Sequence, residues 1–246
     1  MEDLEEGFET FVSERRGCAR GELRLGGSNF NITCVLPELY QRFQERYPGI
    51  QVEVVEGDID RLEMLLMQGR VDFVLDSCEM DAAWAERFPL RSERLLLAAP
   101  ERFLSAQMRA CALTGEGIRQ GLHTRADWPR MPLAAFSALP YISLTPQTDT
   151  FRRVRRLCAQ EDFHPKPCLS FSQQSTAYKM VCAGIGMGFV SDVLAAQTAP
   201  GTPVAFFALP ESEALRQICL YKKKSRRMRA PMRAFAALAQ QVFEDG

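Results

Sequence analysis

The chain is poor in the residues that polar chemistry most often needs. Only two histidines occur in 246 residues, His123 and His164, and they lie far apart. That leaves little material for a zinc site or a histidine-based nucleophile. There are eight cysteines, Cys18, Cys34, Cys78, Cys111, Cys158, Cys168, Cys182 and Cys219, yet none has C-x-x-C spacing. No metal-ligand cluster and no metal are therefore expected. Cys34, Cys182 and Cys219 fall in apolar runs and read as small hydrophobes. Net charge is scarce too. Thirty basic residues against 31 acidic give −1, so no overall field draws the chain to nucleic acid or an acidic membrane. Long apolar runs are missing: nothing approaches the roughly 18 residues that would cross a bilayer. Met1 to Glu6 is acidic and no signal peptide is expected there, which points to a cytoplasmic protein. No P-loop, no G-x-S-x-G elbow, no internal repeat and no low-complexity tract is present.

What is present is an alternation of short apolar runs with amphipathic stretches. Leu4, Phe8, Phe11 and Val12 share one helical face, predicting a short helix over the first 20 residues. Strands are predicted at Glu22–Gly26, at Ile50, Val52 and Val54, and at Val71–Leu75. Between them stand a helix from Thr33 to Arg46 and one capped by Asp58 and closed by Gly69. Strand-helix-strand rhythm implies parallel pairing through right-handed crossovers. Leu95–Pro100 is another strand. The pattern then breaks, and resumes with strands at Tyr141–Leu144, Cys168–Phe171, Thr202–Leu209 and Leu215–Tyr221. Helices are expected after Thr148 and over Gln174–Cys182, with a helical turn at Ser191–Ala196 and a last helix carrying Met232, Phe235 and Ala239.

The candidate site is a set of polar turns, each following a strand and opening a helix. The most telling is Ser172-Gln173-Gln174-Ser175-Thr176, whose first-turn amides and side chains suit a carboxylate or similar anion. Gly27-Ser28-Asn29 forms a second turn and Thr145, Gln147 and Thr148 a third; Ser77-Cys78-Glu79 is a lesser candidate. These turns offer mainly neutral donors and no convergent acid and base, so no catalytic residue is assigned and the chain is not read as an enzyme. Gly184-x-Gly186-x-Gly188 is not a dinucleotide fingerprint, because its glycines close a helix and open a strand. The runs Arg152–Arg156 and Lys222–Arg229 read as solvated faces.

Three stretches, in order, resemble the effector-binding domain of LysR-type transcriptional regulators. They are Gly21–Gly26 with Leu36-Pro37 and Phe43–Pro48; Glu56-Gly57 with Leu62, Leu65-Leu66, Gly69 and Val71-Asp72; and Ala183–Val190. The resemblance spans about residues 21–243. It implies an α/β fold like the type 2 periplasmic binding proteins, with two Rossmann-like subdomains joined by two crossing strands. Residues 21–98 plus 209–246 would form the first subdomain, 99–208 the second, and 1–20 the end of a linker helix. A small-molecule effector would sit between subdomains, touching Gly27, Ser28, Asn29, Thr145, Gln147, Thr148 and Ser172 to Thr176. No cofactor is implied. The expected partners are the effector and further copies of the chain, as homodimer or homotetramer. DNA would be reached only through an N-terminal winged helix-turn-helix that these 246 residues do not contain, and no membrane is involved. Met108–Met131 departs from the family and reads as a surface insertion or a flap. A solute-binding protein or enzyme on the same scaffold, or a thiol sensor using Cys158 and Cys168, are the alternatives.

Overall fold

The computed structural model describes residues 20–210 and 214–244. The helix expected over residues 1–20 lies almost wholly outside them. The described chain forms two compact units. One runs up to Arg91 and resumes at Gln217; the other is Ser92–Arg216. The chain passes between them twice, each time within a strand.

The first unit opens with β1 (Gly21–Gly27), α1 (Asn29–Cys34), α2 (Leu36–Arg46), β2 (Ile50–Glu56), α3 (Ile59–Met67) and β3 (Phe73–Asp76). β1 pairs in parallel with β2 on one side and β3 on the other, as the alternation requires. The single helix expected at Thr33–Arg46 is two. Helix α1 starts directly after Ser28, and Val35, at φ −114°, breaks the run before Pro37 enters the first turn of α2. Proline fits there because that turn's amides have no intrahelical acceptor. Asp58 caps α3, accepting from the Arg61 amide. All four residues of β3 are buried, as expected for a strand covered on both faces.

β4 (Ala85–Pro100) starts ten residues earlier than its apolar run suggests, because Glu86, Arg87, Arg91 and Glu93 interrupt the hydrophobicity. The second unit then holds α4 (Ala106–Cys111), α5 (Gly115–Arg119), β5 (Tyr141–Leu144), α6 (Asp149–Gln160), β6 (Pro167–Phe171), α7 (Gln174–Cys182), β7 (Met187–Ser191), α8 (Asp192–Ala196) and β8 (Val204–Ala208). β5 lies parallel to β6 and β7, while β4 is antiparallel to β7 and β8. The core joins Leu95, Leu97, Leu157, Met187 and Phe207. The irregular segment is no surface insertion. Met108, Leu113, Ile118 and His123 are buried, Leu113 bridges to Phe206, and Met108 packs into the core beside Leu133 and Phe136. Its short helices escape sequence reading because two turns are too few to show a period.

Two glycines of the 184–188 run have structural reasons. Gly184 ends α7 at φ +82°, and a Cβ at Gly186 would lie 2.5 Å from the Pro140 carbonyl oxygen. The chain returns to the first unit in β9 (Leu215–Lys223), antiparallel to β3, and closes with α9 (Ala230–Glu244), whose Met232, Phe235 and Ala239 are buried.

Both basic runs need correction. Arg152, Arg155 and Arg156 are exposed, but Arg153 is buried, donates to the Ala214 carbonyl at 2.7 Å and sits 3.9 Å from Glu93. Lys222 is also buried. It donates to the Arg226 carbonyl and pairs with Glu86 at 2.7 Å, while Arg226 and Arg229 hold Asp72. An inward position, on helix α6 for Arg153 and on the final strand for Lys222, captures one cation of each run, because burying it costs less once a carboxylate or carbonyl faces it.

Candidate functional site

In an open parallel sheet, ligand groups gather at the carboxyl ends of the strands, where loops feed into helices. In the first unit, Gly27 ends β1 and Asp76 ends β3, on adjacent strands. Ser28 is the N-cap of α1 but gives no side-chain cap. Its hydroxyl instead accepts from Asn31 Nδ2 at 2.9 Å, and the same nitrogen reaches Asp76 Oδ2 at 3.4 Å. Asp76 Oδ1 accepts the amides of Ser77 and Cys78 at 2.8 and 2.9 Å. Asn31, Asp76 and Ser77 are all buried, and Asn31 Oδ1 and the Ser77 hydroxyl have no hydrogen-bond partner. Asn29 lies at the rim and donates to Glu56 at 3.2 Å. A Cβ at Gly27 would meet Ile32 Cδ1 at 2.8 Å, so Gly27 serves close packing of β1 against α1. Asp76 and Asn31 are not among the expected contact residues, although Asn31 belongs to the same polar helix start as Ser28 and Asn29. The signal for Asn31 is a second asparagine two residues after Asn29, within the first turn of α1.

In the second unit, Thr145 follows β5 and its amide donates to Phe171, tying the ends of β5 and β6 together. Thr148 caps α6, accepting from the Phe151 amide at 3.2 Å, and donates its proton to the Thr145 carbonyl at 2.9 Å. Gln147, Ser172 and Gln173 are exposed, while Ser175 and Thr176 are half-buried. Gln174 differs: it is buried in the first turn of α7, its Oε1 accepts from the Ser191 amide at 3.4 Å, and its Nε2 has no partner. Gln173, the N-cap, supplies no side-chain cap, leaving the start of α7 with donor capacity. The structure thus groups Ser28 with Asn31 and Asp76, Thr145 with Thr148, and Gln174 with Ser191.

Beneath the second group lies a charged network that sequence reading missed. Glu93, on β4, is wholly buried. Burial pushes its carboxyl up, but Arg216 beside it, aided by Arg153 and Ser191, outweighs this and holds it below the usual carboxylate range. Arg216 also reaches Asp149 at 2.7 Å, linking β9 to the first residue of α6. His123 is buried with Nε2 3.1 Å from Asp192. Burial raises the Cys158 thiol to about 11, so almost no thiolate exists near neutral pH. Cys168 is exposed on β6.

Residues 16–244 match the LysR substrate binding domain. The chain belongs to this family. Its LysR domain is 27% identical over 222 residues to the uncharacterized HTH-type transcriptional regulator YcgK of Bacillus subtilis (strain 168), covering 86% of this chain and 65% of that protein. The chain therefore spans just under two thirds of the length of this relative. Among solved structures, the regulatory domain of CcmR from Synechocystis PCC6803, in complex with 2-PG, superposes with a TM-score of 0.74 at 15% identity, covering 92% of this chain and 99% of the other. The effector binding domain of QuiR, in complex with shikimate, gives 0.70 at 16% identity, with the same coverage. These likenesses establish the LysR effector-domain fold, of the type 2 periplasmic-binding-protein kind. Among the described residues, no helix is long and apolar enough to cross a membrane.

Proposed function

We propose that this LysR domain senses a small, carboxylate-bearing effector held by the carboxyl ends of both units' sheets. Gly27, Ser28 and Asn29 would serve from one unit, and Thr145, Gln147, Thr148 and Ser172 to Thr176 from the other. The observation that carries this is Gln174, whose amide nitrogen is buried without an acceptor at the uncapped start of α7. A buried donor in that position stabilises an incoming anion more than it could in water. The QuiR domain was solved with shikimate, a carboxylate, and the CcmR domain with 2-PG; the first supports an acidic ligand here.

The response is read as population shift: the effector favours one arrangement of the domain by its differential affinity. Asp149 and Arg216 support such transmission, since their ion pair ties the start of α6 to a strand that continues into the other unit. In the whole regulator that shift would reach an N-terminal winged helix-turn-helix and alter its action on DNA, within a homodimer or homotetramer and in the cytoplasm. Burial of Cys158, which also raises its thiol, weighs against Cys158 as the reactive member of a thiol sensor.

The test is titration calorimetry of the chain against benzoate, shikimate and phosphoglycolate, each beside its methyl ester or neutral alcohol. An acid should bind where its neutral counterpart does not, and Gln174→Glu should abolish that binding without lowering Tm by more than a few degrees. Equal binding of acids and neutral counterparts would sink the reading.

A further inference from the structure

The polar end of the first unit is built from acceptors. Asp76 Oδ1 is committed to the amides of Ser77 and Cys78, and Oδ2 takes the Asn31 amide nitrogen. A carboxylate oxygen only accepts, so it fixes the orientation of the Asn31 amide: Nδ2 must face Asp76 and Ser28, and Oδ1 must face away. That oxygen is an acceptor without a donor, on a side chain 1% exposed. The Ser77 hydroxyl, 7% exposed and equally without a partner, stands next in sequence to Asp76. Buried polar atoms in native proteins nearly always find partners. Here one such atom lies in the first turn of α1, just past β1, and the other directly follows β3, the parallel neighbour of β1, the place where this fold presents itself to ligands.

We infer that the effector carries a hydrogen-bond donor, a hydroxyl or an ammonium group, in addition to its carboxylate, and that Asn31 Oδ1, Ser77 Oγ and Asp76 Oδ2 receive it. This rests on the reading above and narrows it to hydroxy or amino acids. A plain hydrocarbon acid would leave the Asn31 and Ser77 atoms buried and unpaired, and a second carboxylate would be repelled by Asp76. A donor group satisfies all three. One good hydrogen bond of this kind, lost while its partner stays buried, weakens binding by roughly ten- to a hundredfold.

Three isosteric trios test it by calorimetry on the chain: isobutyrate, lactate and alanine; valerate, γ-hydroxybutyrate and γ-aminobutyrate; and p-ethylbenzoate with its p-hydroxymethyl and p-aminomethyl counterparts. Each trio exchanges one methyl for hydroxyl or ammonium. The inference expects a donor-bearing member of at least one trio to bind at least about tenfold tighter than its hydrocarbon analogue. Asn31→Leu should erase that preference. Should Asn31→Leu fold poorly, Ser77→Ala serves, because it removes one hydroxyl and should cut the preference several-fold. Gln174→Glu should weaken all members of a binding trio alike. Which of hydroxyl and ammonium wins identifies the donor. If hydrocarbon acids bind as tightly as their analogues and Gln174→Glu abolishes both, the carboxylate reading survives and this inference falls. If no acid of any trio binds, this inference falls, and the carboxylate reading falls with it only when benzoate, shikimate and phosphoglycolate fail to bind as well.

Discussion

Each unit buries one carboxylate completely and clamps it with two arginines, yet the two clamps are built differently. In the first unit Asp72 directly precedes β3, accepts the Arg24 amide at 2.8 Å, and is held by Arg226 and Arg229, whose side chains remain 21% and 44% exposed. In the second, Glu93 is held by Arg216 and Arg153, at 13% and 5% exposure. The Asp72 clamp is a lid of arginines over a buried acid. The Glu93 clamp is interior on both sides. The difference matters because an arginine at the surface recovers hydration when its partner is lost, whereas one inside cannot. The Asp72 clamp fastens the turn after β9 onto the sheet. The Glu93 clamp lies under the candidate effector helices.

The largest expected effect follows directly. Glu93→Gln removes the wholly buried acid between the buried Arg153 and the largely covered Arg216, which keeps only Asp149, and should destabilise by about 3–5 kcal/mol, read as a lowered midpoint in urea. A loss below about 1 kcal/mol would mean that the clamp is hydrated in solution. Next comes acid. Because the folded state holds Glu93 below its ordinary 4.5, the unfolded chain binds its proton first. The stabilisation is complete above the unfolded value and fades as pH falls through the folded one. The wild-type Tm should therefore drop steeply below about pH 4.5, and Glu93→Gln should flatten that slope. An unchanged slope would assign the acid sensitivity to other carboxylates.

Both clamps were partly hidden in the sequence, for the same physical reason. Patterns of apolar residues reveal faces, and they located β1, β3, β5, β7 and α9 through runs such as Val71–Leu75 and Met232–Ala239. Local chemistry was legible too: Asp58, Thr148 and Gly184 cap or close the helices expected of them. A buried charge breaks the apolar pattern, and its partner sits far along the chain. Glu93 and Arg216 are 123 residues apart, and nothing at either position announces the other. β4 was foreshortened for this reason, and Arg153 was read as one more surface cation. The candidate site divides in the same way. The turns holding Ser28, Thr148 and Gln174 stand out as hydroxyls and amides after strands. Asn31 and Asp76 acquire meaning only when β1 and β3 lie side by side.

Smaller effects would sharpen the contrast between the clamps. Asp72→Asn should cost about 1–3 kcal/mol, less than Glu93→Gln, because Arg226 and Arg229 can turn toward water and Arg226 keeps its bond to the Gly69 carbonyl at 2.6 Å. If the two substitutions cost the same, the exposure of the arginines is irrelevant and the comparison collapses.

The smallest effect is the response to salt, and it separates the clamps most cleanly. At 1 M ionic strength the Debye length is about 3 Å, so charges reached by solvent are screened while buried pairs are hardly touched. Arg229, 44% exposed and 2.9 Å from Asp72, should lose most of its contribution, which for such a pair is at most about 1 kcal/mol. Arg229→Met should therefore destabilise measurably at low salt and by only a few tenths of a kcal/mol at 1 M. Arg153→Met, removing an interior cation, should cost the same at both. The comparison of the two midpoint shifts across a salt series decides the matter. Parallel curves would place Arg229 in an environment as dry as that of Arg153, and the lid would be a core.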